Sequence, residues 1–303
     1  MRVAVSGAGG RLGSALVAAL GDAPFTGPAG PIAWTRADFD LDAPESIGRL
    51  LDRDRPEVVV HAAAWTDVDG CARDPDLAMR RNGDAVRVVA EATESRGIDL
   101  IHISTNEVFD GRPPTDPPGR GYRPSDAPDP INAYGRSKFA GERYAEAAYA
   151  GSRRGLWIIR TAWLFGPPGD DFPSKILAAA ERASASGEHL RLVADELGSP
   201  TYTHDVADAI IELIAEDAPP GIHHVVNAGA ASRMDFAEEV LRQAGVHVGT
   251  EPVMAADWSR PSTPPIWGVL EPTPLPSGEP LRTWQGALAD YLPILRRQRV
   301  AAR

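Results

Sequence analysis

The chain has 303 residues, 43% hydrophobic and 24% charged, the balance of a globular protein with room for one α/β domain and a smaller lobe. Its 31 basic against 42 acidic residues leave a net charge of −11 with no basic run, which argues against nucleic acid or an anionic membrane as partner and favours small-molecule chemistry. The single Cys71 excludes an intrachain disulfide framework, no His/Cys cluster gives a zinc signature although a Mg²⁺ ion stays open, and no apolar run is long enough to span a membrane, so a cytoplasmic protein without a signal peptide is expected.

Residues 2–6 read as a strand that stops at Gly7-Ala8-Gly9-Gly10-Arg11-Leu12-Gly13, with a helix over 14–20. Glycines at 7, 10 and 13 let the backbone turn tightly and approach a pyrophosphate at the helix N-terminus, making Gly7, Gly10, Arg11, Leu12 and Gly13 a candidate dinucleotide-binding loop. A second strand over 31–35 is followed by Arg36. An acid there would bind the ribose diol of NAD, whereas an arginine accepts the 2′-phosphate of NADP, so NADPH is the expected cofactor. Asp40 and Leu41, a polar residue followed by an apolar one, are candidates to flank the adenine, ahead of a helix over 44–54.

The third strand, 57–61, holds the continuous apolar run Val58-Val59-Val60 expected of a strand buried on both faces of a parallel sheet. It leads into Ala62-Ala63-Ala64, small residues that either wall the nicotinamide-ribose site or serve tight packing. A helix over 76–96 carries Asn82, and a fourth strand over 99–103 ends in Ser104-Thr105, at the carboxyl end where ligands gather in open α/β sheets. Residues 111–131 contain seven prolines and three glycines; a structureless loop of that length beside Thr105 is expected to be a lid.

A helix then opens at Ala133-Tyr134-Gly135-Arg136-Ser137-Lys138. The four-residue spacing puts Tyr134 and Lys138 on one helix face, so a phenol and an ammonium address the same small volume. Of the 31 basic residues only Lys138 and Lys175 are lysine. A compact ammonium, rather than a forked guanidinium, suits a place beside a phenol and a sugar hydroxyl. Further on, strands are expected over 155–160, 190–194 and 221–226, helices over 174–184, 203–216, 232–244 and 282–297, and a turn over 195–201. Residues 249–278, rich in proline, resist assignment.

The glycine loop, Ser104-Thr105 and the Tyr134/Lys138 pair together resemble the extended short-chain dehydrogenase/reductase superfamily. Ala62 to Asp69, Ser104 to Gly111, Arg160-Thr161-Ala162-Trp163, Gly198-Ser199-Pro200-Thr201, Arg260-Pro261 and Trp284 to Leu288 are similar to successive blocks of the dTDP-4-dehydrorhamnose reductase family. The resemblance implies a Rossmann-like, doubly wound parallel sheet over 1–167, to which 201–230 returns, and a smaller sugar-nucleotide lobe over most of 168–303. It implies reduction of a 4-keto sugar nucleotide by NAD(P)H, with a homodimer as an allowed assembly. Thr105, Tyr134 and Lys138 become the catalytic trio, Tyr134 and Lys138 also touching the cofactor, and Val68, Asp69, Thr105, Asn106, Glu107 and Trp163 face the substrate.

Free tyrosine has a pKa of about 10, and Lys138 with the oxidised nicotinamide is expected to lower it. The chain departs from the family where Asn106-Glu107 replaces an Asp-Tyr pair and where Ala72 replaces an acid, so contacts to the sugar are expected to be rearranged. Two alternatives remain open at this level: an epimerase or dehydratase of the same superfamily, and a non-catalytic sugar-nucleotide or NADP-binding subunit.

Overall fold

A computed structural model describes residues 1–301. Its strands are β1 (Val3–Ser6), β2 (Ile32–Trp34), β3 (Val58–His61), β4 (Asp99–Thr105), β5 (Leu156–Thr161), β6 (Leu164–Phe165), β7 (Leu190–Val193), β8 (Leu197–Gly198), β9 (Thr201–Tyr202), β10 (Gly221–His224), β11 (Ala231–Ser232), β12 (Thr250–Val253) and β13 (Trp267–Gly268). The α-helices are α1 (Arg11–Asp22), α2 (Ile47–Asp54), α3 (Val68–Arg73), α4 (Pro75–Met79), α5 (Ala85–Glu94), α6 (Ala133–Tyr149), α7 (Phe172–Ser186), α8 (Thr203–Ala215), α9 (Arg233–Ala244) and α10 (Trp284–Ala301).

Six strands form one parallel sheet in the order β10-β5-β4-β3-β1-β2. Side chains alternate across it with the period of two that a strand imposes. Val3, Val5, Val58, Val60, Ile101 and Ile103 meet α1 and α8 on one face. Ala4, Val59 and Leu100 meet α2, α5 and α6 on the other. Both faces are covered, which is why the strands read as unbroken apolar runs. The chain leaves β1 toward β2 on one side and β3 on the other, and the crevice at that switch point lies between the Gly7 loop and Ala62–Trp65. This is the Rossmann-like, doubly wound fold expected.

The remaining core gathers Phe165, Tyr202, Phe236, Trp284 and Tyr291 between α7, α9 and α10. α9 starts with the capping box legible in Ser232 and Asp235, each side chain satisfying the other's backbone amide.

Four expectations change. The helix over 76–96 is interrupted: α4 opens at Pro75, residues Arg80–Asp84 form a π turn, and α5 ends at Glu94. A short helix, α3, appears at 68–73 because the Asp67 side chain accepts from Gly70 N at 2.9 Å and caps it. The turn over 195–201 contains β8 and β9, and residues 249–278 hold β12 and β13.

The fourth change concerns 111–131, which is a strap and not a lid. Tyr122 exchanges backbone hydrogen bonds with Val269 and Glu271, each at 2.8 Å, stacks on Phe109 with ring centroids 4.1 Å apart, and donates its hydroxyl to Asp110. Arg120 pairs with Asp126 within the loop. Prolines remove donors and fix φ, so the loop is stiff and anchors on the second lobe.

Candidate active site

The glycine loop packs as its spacing demands. Gly7 has φ +69, and a Cβ there would lie 2.8 Å from the Ala63 backbone. A Cβ on Gly13 would lie 2.0 Å from Gly7 O. The Ala63 backbone therefore packs closely on Gly7 while the residue also lines the outer cavity, and Ala62 and Ala64 line both adjoining cavities. α1 begins at Gly10 with no side-chain cap and no acid in its first turn, so its amides and dipole are free for an anion. Leu12 is buried under this turn and lines the inner cavity. Arg11 lines it too, its Nε donating to Gly166 O at 3.0 Å.

The outer cavity, about 530 Å³, is lined by Gly7, Gly10, Arg36, Asp40, Leu41 and Arg81 among others. The inner one, about 390 Å³, shares Gly7, Gly10, Ala62 and Ala64 with it and reaches Thr105, Tyr134 and Lys138. A third, about 990 Å³, lies in the second lobe between α7, β7 and residues 255–266, and shares Arg233 with the inner cavity. The three make one groove from Arg36 to the lobe.

Tyr134 and Lys138 stand on the first turns of α6, where the Asn132 side chain accepts from Gly135 N at 2.8 Å as N-cap. That turn rests on the backbone after β4, since a Cβ on Gly135 would lie 2.0 Å from Glu107 O. Gly135 thus brings Tyr134 close to Thr105, whose hydroxyl favours the phenolate and partly offsets the rise in the phenol's pKa. Thr105 Oγ1 also accepts from Glu107 N at 3.2 Å.

Burial pushes the Tyr134 pKa above its usual value, and the charge of Glu107 adds to the rise. The lowering expected from Lys138 is not what sets the phenol: the Lys138 Nζ donates to Ile103 O at 2.7 Å, and burial lowers its own pKa to about 8. A phenol held protonated is a proton donor.

Glu107 is the one carboxylate among the residues lining the inner cavity. Its Oε2 accepts from Asn132 Nδ2 at 2.7 Å. Burial raises its pKa, and the Asn132 bond and the charges of Arg233 and Arg260 partly offset the rise. Asn106 lines the cavity but is committed to the second lobe, its Nδ2 donating to Gly268 O at 3.2 Å. An aspartate could not donate there.

Val68 and Trp163 also line the inner cavity. Trp163 has φ +43, and its ring lies 3.5 Å from the Arg233 guanidinium carbon. Arg233 in turn pairs with Glu196 at 2.8 Å. Asp69, expected at the substrate, faces none of the three cavities. It accepts from Arg260 Nε at 3.1 Å and from Ser262 N at 3.2 Å, tying the α3 turn to the second lobe. Ala72 lines none of them either.

Several contributors escaped the sequence reading. Asn82, on the π turn, pairs with both backbone groups of Trp65, at 2.8 and 3.0 Å, and donates to Ser137 Oγ at 3.2 Å, joining the Ala64 wall to α6. Beneath Lys138, Glu142 accepts from Arg160 at 2.6 and 3.0 Å and from Ser104 Oγ at 2.5 Å, all buried. An asparagine just ahead of an apolar-periodic helix could have revealed Asn132 as a cap; no local signal marks the Glu142–Arg160 pair.

Among the described residues no group of three or more His, Cys, Asp or Glu is arranged to hold a metal ion, and no helix is long and apolar enough to cross a membrane.

Residues 1–297 match the model of the RmlD substrate binding domain family. The spore coat polysaccharide biosynthesis protein SpsK of Bacillus subtilis is 34% identical over 96% of this chain and 96% of its own. The dTDP-4-dehydrorhamnose reductase of Streptomyces griseus is 34% identical over 96% of this chain and 93% of its own. The crystal structure of dTDP-4-dehydrorhamnose reductase from Bacillus anthracis in complex with NADP superimposes with a TM-score of 0.84 at 29% identity, covering 97% of this chain and 99% of that one. With a sheet, a glycine cradle and a Thr105–Tyr134–Lys138 cleft that the match spans from end to end, the chain belongs to the RmlD substrate binding domain family.

Proposed function

We propose that the protein is an NADPH-dependent reductase of the 4-keto group of a nucleotide-activated 6-deoxysugar, a dTDP sugar by analogy with its reductase relatives. The observation that carries the reading is Tyr134: a buried phenol beside Thr105, four residues from a buried lysine, in a cleft continuous with the glycine loop.

The residues present fit the cofactor. At Gly7 and Gly13 a Cβ would strike the backbone of Ala63 and of Gly7, so only glycine permits this tight turn, which leaves the uncapped α1 N-terminus beside the two cavities. Gly7, Gly10, Arg11 and Leu12 would hold the pyrophosphate, Arg36, Asp40 and Leu41 the adenosine end, and Ala62, Ala64 and Lys138 the nicotinamide ribose. NADPH, when bound, supplies the hydride for the carbonyl carbon.

Tyr134 delivers its phenolic proton to the oxygen on which charge develops, and Thr105 holds that oxygen in line. Lys138, its Nζ held by Ile103 O, would serve the cofactor ribose and not the phenolate. The lobe cavity, with Lys175, Arg182, Arg233 and Arg260 on its walls, takes the nucleoside diphosphate. Val68, Glu107 and Trp163 line the space left for the sugar. In this division of labour 1–167 together with 201–230 serves the cofactor, and most of 168–303 serves the sugar nucleotide.

The test is NADPH oxidation with a panel of dTDP-4-keto-6-deoxysugars, run beside Tyr134→Phe. Turnover by the parent, cut about 10²- to 10⁴-fold in the variant with cofactor binding retained, supports the reading. No turnover on any sugar would overturn it in favour of a binding subunit. A second reading rests on Glu107, a carboxylate beside the phenol suited to acid/base work; tightly held NAD in purified protein, with no net NADPH use, would favour an epimerase or dehydratase.

A further inference from the structure

The outer cavity carries two guanidinium groups from unrelated parts of the chain. Arg36 follows β2, the place where cofactor preference is ordinarily read. Arg81 lies on the Arg80–Asp84 π turn, 45 residues later. Both line the cavity that opens from the glycine loop.

Arg81 is held before any ligand arrives. Its Nε and Nη2 form a two-pronged pair with the Asp42 carboxylate at 2.7 and 2.5 Å, and its guanidinium carbon stands 5.3 Å from the centre of the Trp65 ring. The Arg81 side chain is 20% exposed, so the fork is fixed while its Nη1 edge stays available. Immobilising a guanidinium beforehand removes an ordering cost that binding would otherwise carry.

Around it, two guanidiniums stand against two carboxylates. Asp40 lines the same cavity, and its Oδ1 is turned to Asp42 N at 3.1 Å. Asp42 neutralises one positive charge. A phosphate monoester carries close to two negative charges near neutral pH, so Arg36 alone, exposed and facing these two acids, is a weak partner for it. Arg81 adds a second, preorganised set of N–H donors beside Arg36.

We propose that Arg81, fixed by Asp42 and Trp65, binds the 2′-phosphate of the cofactor's adenosine half together with Arg36, and thereby sets the preference for NADPH over NADH. The inference rests on the cofactor reading given above. The π turn gives the arrangement its geometry: adjacent residues on it serve both ends of the groove, Arg81 the adenosine end and Asn82 the wall beside α6.

The experiment is calorimetric titration with two probes, 2′,5′-ADP and 5′-AMP, which differ by the 2′-phosphate, and it needs no turnover. Arg81→Gln is expected to weaken 2′,5′-ADP by at least about tenfold and 5′-AMP by less than about twofold. Arg81→Lys, which keeps the charge without the fork, is expected to recover part of the loss. Equal loss for both probes would show that Arg81 only shapes the cavity, and an unchanged 2′,5′-ADP affinity would leave Arg36 as sole reader; either overturns the proposal. Wild-type protein that binds neither probe would overturn the cofactor reading as well.

Discussion

Asn132 and Glu107 are joined by a 2.7 Å hydrogen bond, and the same asparagine caps the helix that carries Tyr134 and Lys138. One side chain thus fixes both the carboxylate in the cleft and the start of the helix that carries Tyr134 and Lys138. Asn132→Ala is expected to cost about 1 kcal/mol from the lost cap, with a further cost from leaving Glu107 unpaired, measured by denaturant unfolding.

Glu107 is one of three causes that raise the Tyr134 pKa, after burial and ahead of Cys71. Reduction needs the protonated phenol, so activity is present below that pKa and is lost as pH rises through it. Glu107→Gln removes one raising cause. The alkaline limb of kcat against pH is expected to move to lower pH, and a limb that stays put would show that the carboxylate does not act on the phenol.

Lys138 is costly to the fold. Its pKa falls from 10.5 to about 8, so at pH 7 the folded protein holds an ammonium that burial disfavours. A shift of about 2.5 units corresponds to roughly 3 kcal/mol, part of which the bond to Ile103 O already offsets. Lys138→Met is therefore expected to lose turnover while gaining about 1–2 kcal/mol of stability at pH 7. The folded state favours the neutral amine, so wild-type stability rises between pH 8 and the unfolded pKa, and the gap between the two proteins narrows there. Unfolding curves at pH 7 and pH 10 check the sign.

The Glu142–Arg160 pair is buried on both sides, at 2% and 1% exposure. Glu142→Gln leaves a guanidinium without its counter-charge and is expected to cost about 3–5 kcal/mol. Replacing both by Leu and Met is expected to cost much less, because no buried charge is then orphaned. A double variant as unstable as the single one would contradict this.

Gly13→Ala places a carbon against Gly7 O. Either α1 or the loop must move, and 2′,5′-ADP affinity is expected to fall at least about tenfold with a lowered melting temperature. Normal affinity in this variant would mean the loop does not receive the pyrophosphate.

How much of this was legible follows from how far apart the interacting residues lie. The Gly7 turn, the Tyr134/Lys138 face and the Ser232 cap are set by neighbours within a few positions, and local pattern found them. Asp69 read as a substrate contact because nothing local reveals that Arg260 and Ser262 close on it. Asn106 lines the inner cavity, and nothing local reveals that its amide also holds Gly268. The 111–131 loop read as a lid because length and proline content do not distinguish a cover from a strap; the bonds from Tyr122 to Val269 and Glu271 decide it. The π turn at Arg80–Asp84 left no mark because a one-residue widening scarcely alters helical periodicity.

The ties from Asp69 to Arg260 and Ser262, 191 and 193 residues along the chain, and from Asn106 to Gly268, 162 residues along, have a consequence for how the protein is made. Contacts of such separation close late, because chain entropy opposes them until the intervening segments are ordered. On a ribosome the glycine cradle and α6 emerge with the first half of the chain, whereas the cleft stays unfinished until Gly268 has left the exit tunnel. A nascent chain would thus acquire a nucleotide grip well before it acquires a sugar pocket.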